Sequence, residues 1–140
     1  MKIFTKHIVV YAFLVAVYTL LFRVGLSYCL DQSEWTWLWV VAGLYGLMLF
    51  VSGWFLGKAE VMRNSFFDLG LRMHLTTYLI FAAISLGWFY LGNPNPNERI
   101  RDIILALTIW GVMVIIHVVV FLLTRKYTIR GIRKDELFGN

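Results

Sequence analysis

Three histidines and two tyrosines carry what chemistry this chain can offer. His7 and Tyr11 frame the pentapeptide His-Ile-Val-Val-Tyr, and His74 and Tyr78 frame His-Leu-Thr-Thr-Tyr. His117 stands alone in a later apolar run. Imidazole titrates near pH ~6.5, so such residues can serve as proton-responsive switches. Its ring nitrogens also bind metals and haem iron. A third use is structural: a neutral ring hydrogen-bonded to Thr76, Thr77, Tyr78 or a backbone carbonyl fixes helix packing. The haem reading needs two axial rings facing across a porphyrin. Neighbouring helices packed about 8–10 Å apart leave no such gap. A metal site would lack carboxylates or thiolates nearby. The sequence therefore predicts no metal, no cofactor and no catalytic residue, and a packing role first for the cluster His74, His117, Tyr78 and His7.

The elements that position these residues are membrane helices. Hydrophobic residues make up 60% of the 140 and charged ones 15%, against about 45–50% and about 25% in soluble domains. One domain of this size in water could not bury that much apolar surface. Four stretches reach the roughly 20 residues needed to cross a bilayer. They run from about 7 to 26, 35 to 56, 73 to 91 and 103 to 123. The expectation is an all-α polytopic membrane protein, a compact four-helix bundle. The run after Lys2 and Lys6 has no small-residue cleavage site before the next loop, so it reads as a retained helix. Pro94 and Pro96 share one connection, and the lone Cys29 allows no internal disulfide. The Lys-Asp-Glu-Leu at 134–137 is internal and is no retention signal. No Gly-rich phosphate loop, nucleophile elbow or paired intramembrane carboxylate is present, and no nucleic-acid partner is implied.

Charge sets a direction. Lys2, Lys6, Lys58, Arg63, Arg72, Arg125, Lys126, Arg130, Arg133 and Lys134 fall on one side of four spans. Only Arg23, Arg99 and Arg101 fall on the other. The positive-inside rule then makes both termini cytoplasmic. Trp35, Trp37, Trp39, Trp88, Phe89 and Tyr90 read as an outer aromatic belt, and Trp54 marks an inner end. Arg23, about 25 Å along the first helix from His7, is expected to snorkel to the outer interface. The basic set Arg125, Lys126, Arg130, Arg133 and Lys134 is expected to touch lipid headgroups or a protein partner.

The chain also repeats itself. His7 and His74 are 67 positions apart, and Tyr45-Gly-Leu-Met and Trp110-Gly-Val-Met are offset by 65. A two-helix unit at about 1–63 recurs at about 64–136, and an even number of spans keeps both copies in one orientation. Small residues at Ala12/Ala16, Ala42/Gly46, Gly53/Gly57, Ala83/Gly87 and Gly111 are expected to pack helices within one subunit, the alternative being an oligomer interface. With a loop midpoint near residue 97, His74 is 23 positions away and His117 is 20, which puts them within about 5–10 Å in depth on antiparallel neighbours.

His74-Leu75, Tyr78, Trp110-Gly111, His117 and the basic segment after it resemble the bacterial 2TM-domain family over about residues 64–136. The first unit looks like a degraded copy: His7 and Tyr11 are kept, Tyr45 stands for Trp110, and Ser52 takes the place of His117. The resemblance implies a bacterial inner-membrane protein in a signalling or membrane-stress setting, without catalytic residues. The expected function is non-enzymatic: sensing or relaying a membrane state to a partner through the loop 57–72 and the tail 124–140. The alternative is a homo-oligomer that permeabilises the membrane or forms a small channel.

Overall fold

A computed structural model describes residues 5–61, 66–92 and 95–131, with side chains over 5–58, 69–92 and 95–123. Four helices account for nearly all of them: α1 (Lys6–Asp31), α2 (Trp35–Val61), α3 (Phe66–Tyr90) and α4 (Ile100–Gly131). Each is long and apolar enough to cross a membrane.

Local sequence sets the ends. The Thr5 hydroxyl accepts the Ile8 N–H at 3.4 Å and caps α1. At the other end three residues, 32–34, reverse the chain. There Ser33 adopts φ 55°, left-handed for a non-glycine, and the Glu34 N–H returns to the Cys29 carbonyl at 2.9 Å. So short a link makes α2 the antiparallel neighbour of α1. Helix α1 continues past the expected residue 26 to Asp31 because the α3–α4 connection grips its last turn. The Asn95 amide donates to the Ser27 carbonyl at 3.0 Å and to Asp31 Oδ1 at 2.9 Å. Asn97 donates to the Leu30 carbonyl at 3.3 Å.

One stripe of α1, Ile8, Tyr11, Val15, Thr19 and Arg23, is buried. It runs at helical spacing along a single face. Tyr11 and Val15 form the core with Leu69 and Met73 of α3. Polar contacts hold the seams. Tyr11 Oη and Thr77 Oγ1 are 2.8 Å apart, Thr19 Oγ1 and Tyr45 Oη 3.1 Å, and Ser52 Oγ and Tyr18 Oη 3.2 Å. Thr19, Ser52 and Thr77 each also donate to a carbonyl one turn back, at 2.7, 2.7 and 2.9 Å. These six hydroxyls thereby satisfy one another and the backbone.

The helices do not close into the expected compact bundle. Among the described residues α1 packs on α2 and α3, α2 touches α3 lightly, and α4 packs on α3 alone. Among the described side chains of α4 only Ile103, Leu107 and Val114 are buried hydrophobics. Most of its other described side chains are apolar and exposed. The small residues divide accordingly. Gly53 faces the Tyr11 ring, Gly57 meets Leu69 and Met73, and Gly111 lies under Tyr78. Gly46 and Gly87, expected to pack inside, have nothing within 4 Å of a built Cβ.

Candidate functional site

The α3–α4 seam gathers three of the four expected polar residues. The His74 and His117 rings are 5.3 Å apart, centroid to centroid, and inclined at 56°. Tyr78, one turn further along α3, meets Trp110 edge-on at 6.2 Å. Glycines make this approach feasible from both sides. A Cβ at Gly70 would sit 3.8 Å from His117 Nε2, and one at Gly111 would sit 3.1 Å from Tyr78 Oη. Each helix thus lays an aromatic ring on a glycine of the other. Gly70 carried no signal in the sequence beyond its spacing of four from His74, which puts both on one helix face.

His7 does not join them. It is half-buried in the first turn of α1, and α1 makes no packing contact with α4 among the described residues. The two Tyr positions also part company: Tyr78 faces α4, whereas Tyr11 bonds Thr77 of α3. Arg125, Lys126 and Arg130 lie on the α4 backbone without described side chains, and Arg133 and Lys134 lie outside the described residues.

His74 also borders an apolar groove of about 610 Å³ between α2 and α3, together with Phe50, Gly53, Trp54 and Met73. Two imidazoles in contact can lock a helix pair. Among the described residues no group of three or more His, Cys, Asp or Glu is placed to hold a metal ion. A cross-linking experiment checks the seam. With Cys29→Ser as background, a His74→Cys/His117→Cys pair is expected to join efficiently through a short bismaleimide. A His7→Cys/His117→Cys pair should stay unlinked. Equal yields from the two pairs would refute this packing.

A second cluster, missed in the sequence, sits at the opposite end. Arg23 does not snorkel. It is 2% exposed and grips Glu98 with both terminal nitrogens, at 2.6 and 2.8 Å. Its guanidinium lies 5.9 Å from the Trp88 ring centroid. Trp88 is accordingly half-buried with its indole N–H enclosed, rather than part of an outward belt. Trp35, Trp37 and Trp39 remain exposed, as does Trp54. The signal available was charge sign: one arginine near the end of α1 and acids in the α3–α4 connection share that end of the helices.

Between the two clusters aromatic rings run in series. Phe22 stacks on Tyr45 at 4.7 Å, Tyr45 approaches Phe81 at 6.3 Å, and Phe81 reaches Trp110 at 5.2 Å. The series runs from α1 and α2 through Phe81 of α3 to α4. The chain matches no protein-family model, no curated protein and no solved structure.

Proposed function

We propose that this chain is a non-enzymatic inner-membrane component that relays a state of the bilayer to a protein partner. One observation carries the reading. Helix α4 is a single rod from Ile100 to Gly131, although the apolar span ends at Leu123. The eight residues beyond extend it by about 12 Å. They include Arg125, Lys126 and Arg130. A rod held by one neighbour can tilt or turn with the bilayer, and its basic end moves with it. In this reading both termini are cytoplasmic, supported by the ten basic residues on their side against three on the other. The recurring His-x-x-x-Tyr and aromatic-Gly-aliphatic-Met segments support a duplicated two-helix unit of the 2TM-domain kind.

The full chain, deletion of residues 126–140, and a proline at position 129 separate the outcomes. All are purified in mild detergent, with composition and native mass measured. Full-length protein is expected to carry a second protein that the deletion loses and Ile129→Pro weakens, with helical content of the spans kept. Identical composition in all three would refute the relay.

The homo-oligomeric, permeabilising alternative has one observation in its favour. Gly43 and Gly46 on α2 have nothing within 4 Å of a built Cβ, so that face could admit a second copy closely. A membrane-potential dye discriminates: an intact potential at high expression removes this reading.

A further inference from the structure

Three enclosed side-chain polar atoms lack a hydrogen-bond partner among the described residues: Arg23 Nε, Ser85 Oγ and Trp88 Nε1. They share one seam. Ser85 and Trp88 are a single turn apart on α3, and the Arg23 guanidinium packs on the Trp88 ring. Ser85 is 0% exposed and Arg23 2%. Buried polar groups are nearly always paired, so three together at one place call for an explanation. A cavity of about 320 Å³ opens beside them, and Arg23 and Ser85 both line it. That volume is within the range of about 300–1,000 Å³ typical of small-molecule sites.

The atoms state what they want. Of the two that line the cavity, the arginine Nε–H only donates and the serine hydroxyl can donate. The complement is an acceptor. Its charge is constrained as well. The Arg23 charge is already matched by Glu98, and Asp102 also lines the cavity. An anion would meet two carboxylates and no free cation in that lining. The remaining walls are apolar and partly aromatic, with Phe22, Trp35 and Phe81 among them. The Phe22 and Phe81 rings stand 6.5 Å apart. Polar Asn97 and Glu98 rim one side.

We propose that this cavity binds a neutral amphiphile through an acceptor-only carbonyl oxygen, with a benzoquinone-type ring lying among the aromatic side chains and its aliphatic tail leaving into lipid. The ester carbonyl of a glycerolipid shares the acceptor chemistry, but it lacks a flat ring for Phe22, Trp35 and Phe81 to stack against. Binding of this kind stands whether or not the α4 tail engages a partner.

The test is calorimetric titration of the full chain in dodecyl maltoside, which has no carbonyl group. The probes are a short-tailed benzoquinone, the same molecule reduced to its quinol, and a short-chain diacylglycerol. Saturable 1:1 binding of the quinone is expected. Ser85→Ala removes one donor and should weaken it roughly three- to tenfold. Ala106→Phe, placed in the cavity wall, should abolish it while circular dichroism stays unchanged. The quinol replaces the carbonyl with a hydroxyl, a poorer acceptor for Arg23 Nε–H and Ser85, and should bind more weakly. Absence of saturable quinone binding overturns the proposal, and so does wild-type affinity in both variants. Equal affinity for the quinol would remove the acceptor-only assignment, and tighter diacylglycerol binding would replace the ring with an ester.

Discussion

Replacing Glu98 by alanine is expected to lower stability by about 3–5 kcal/mol, the range for stranding one member of a buried ion pair. The Arg23 guanidinium is 2% exposed and the Glu98 side chain 8%. Both terminal nitrogens are engaged at 2.6 and 2.8 Å, the bidentate geometry of the stronger pairs. Without the carboxylate, a full positive charge stays enclosed beside Trp88 and Ser85. The tie between α1 and the α3–α4 connection is weakened with it. Asn95 still holds Ser27 and Asp31, so the connection should stay near α1, and the loss should be electrostatic rather than a general unfolding of that end. Two controls separate these. The double replacement Arg23→Met/Glu98→Leu removes both charges at similar volume and should recover most of the loss, since apolar substitutes for buried pairs are often neutral. Raising salt should change the wild-type value little, because enclosed pairs are weakly screened. Unfolding in mixed detergent micelles, followed by circular dichroism, measures all of this. A single-variant loss under about 1 kcal/mol would mean the pair is solvated.

The sequence exposed the spans because their length and apolarity depend on the chain alone. It also gave the depth match of His74 and His117, since a short connection and a fixed rise per residue are enough to count turns. Their rings do meet, at 5.3 Å. What it could not supply was the choice of faces. In lipid a helix is as apolar outside as inside, so periodicity no longer distinguishes the buried stripe. Gly46 and Gly111 both look like packing positions, yet one is open and the other lies under Tyr78. Closure of the bundle failed for the same reason: nothing in the apolar pattern says that α4 meets α3 alone. Arg23 was misread through a boundary. With α1 ending near 26 it sits at an interface, but with α1 reaching Asp31 it sits eight residues before the end, enclosed and matched by Glu98.

The second large effect is expected at Gly111. A Cβ there would lie 3.1 Å from Tyr78 Oη and 3.5 Å from Cζ. Alanine forces a small shift of the ring, whereas leucine cannot be accommodated without moving α4 off α3. Overpacking of this kind costs about 1–3 kcal/mol in a closed core. Here the upper part of that range is expected, because among the described residues α4 packs on α3 alone. Release of the seam should show as a loss of cross-linking between His74→Cys and His117→Cys in a Gly111→Leu background, at a distance of six residues along α4. The cause can be isolated. Tyr78→Phe deletes the oxygen nearest the new methyl, so Gly111→Ala/Tyr78→Phe should be more stable than Gly111→Ala alone, a positive coupling in a double-mutant cycle. Additive effects, or cross-linking that survives leucine at 111, would mean that α4 is held by something other than the glycine–aromatic contacts. In that case the histidine pair would be the stronger clasp, and His117→Ala rather than Gly111→Leu would free the helix.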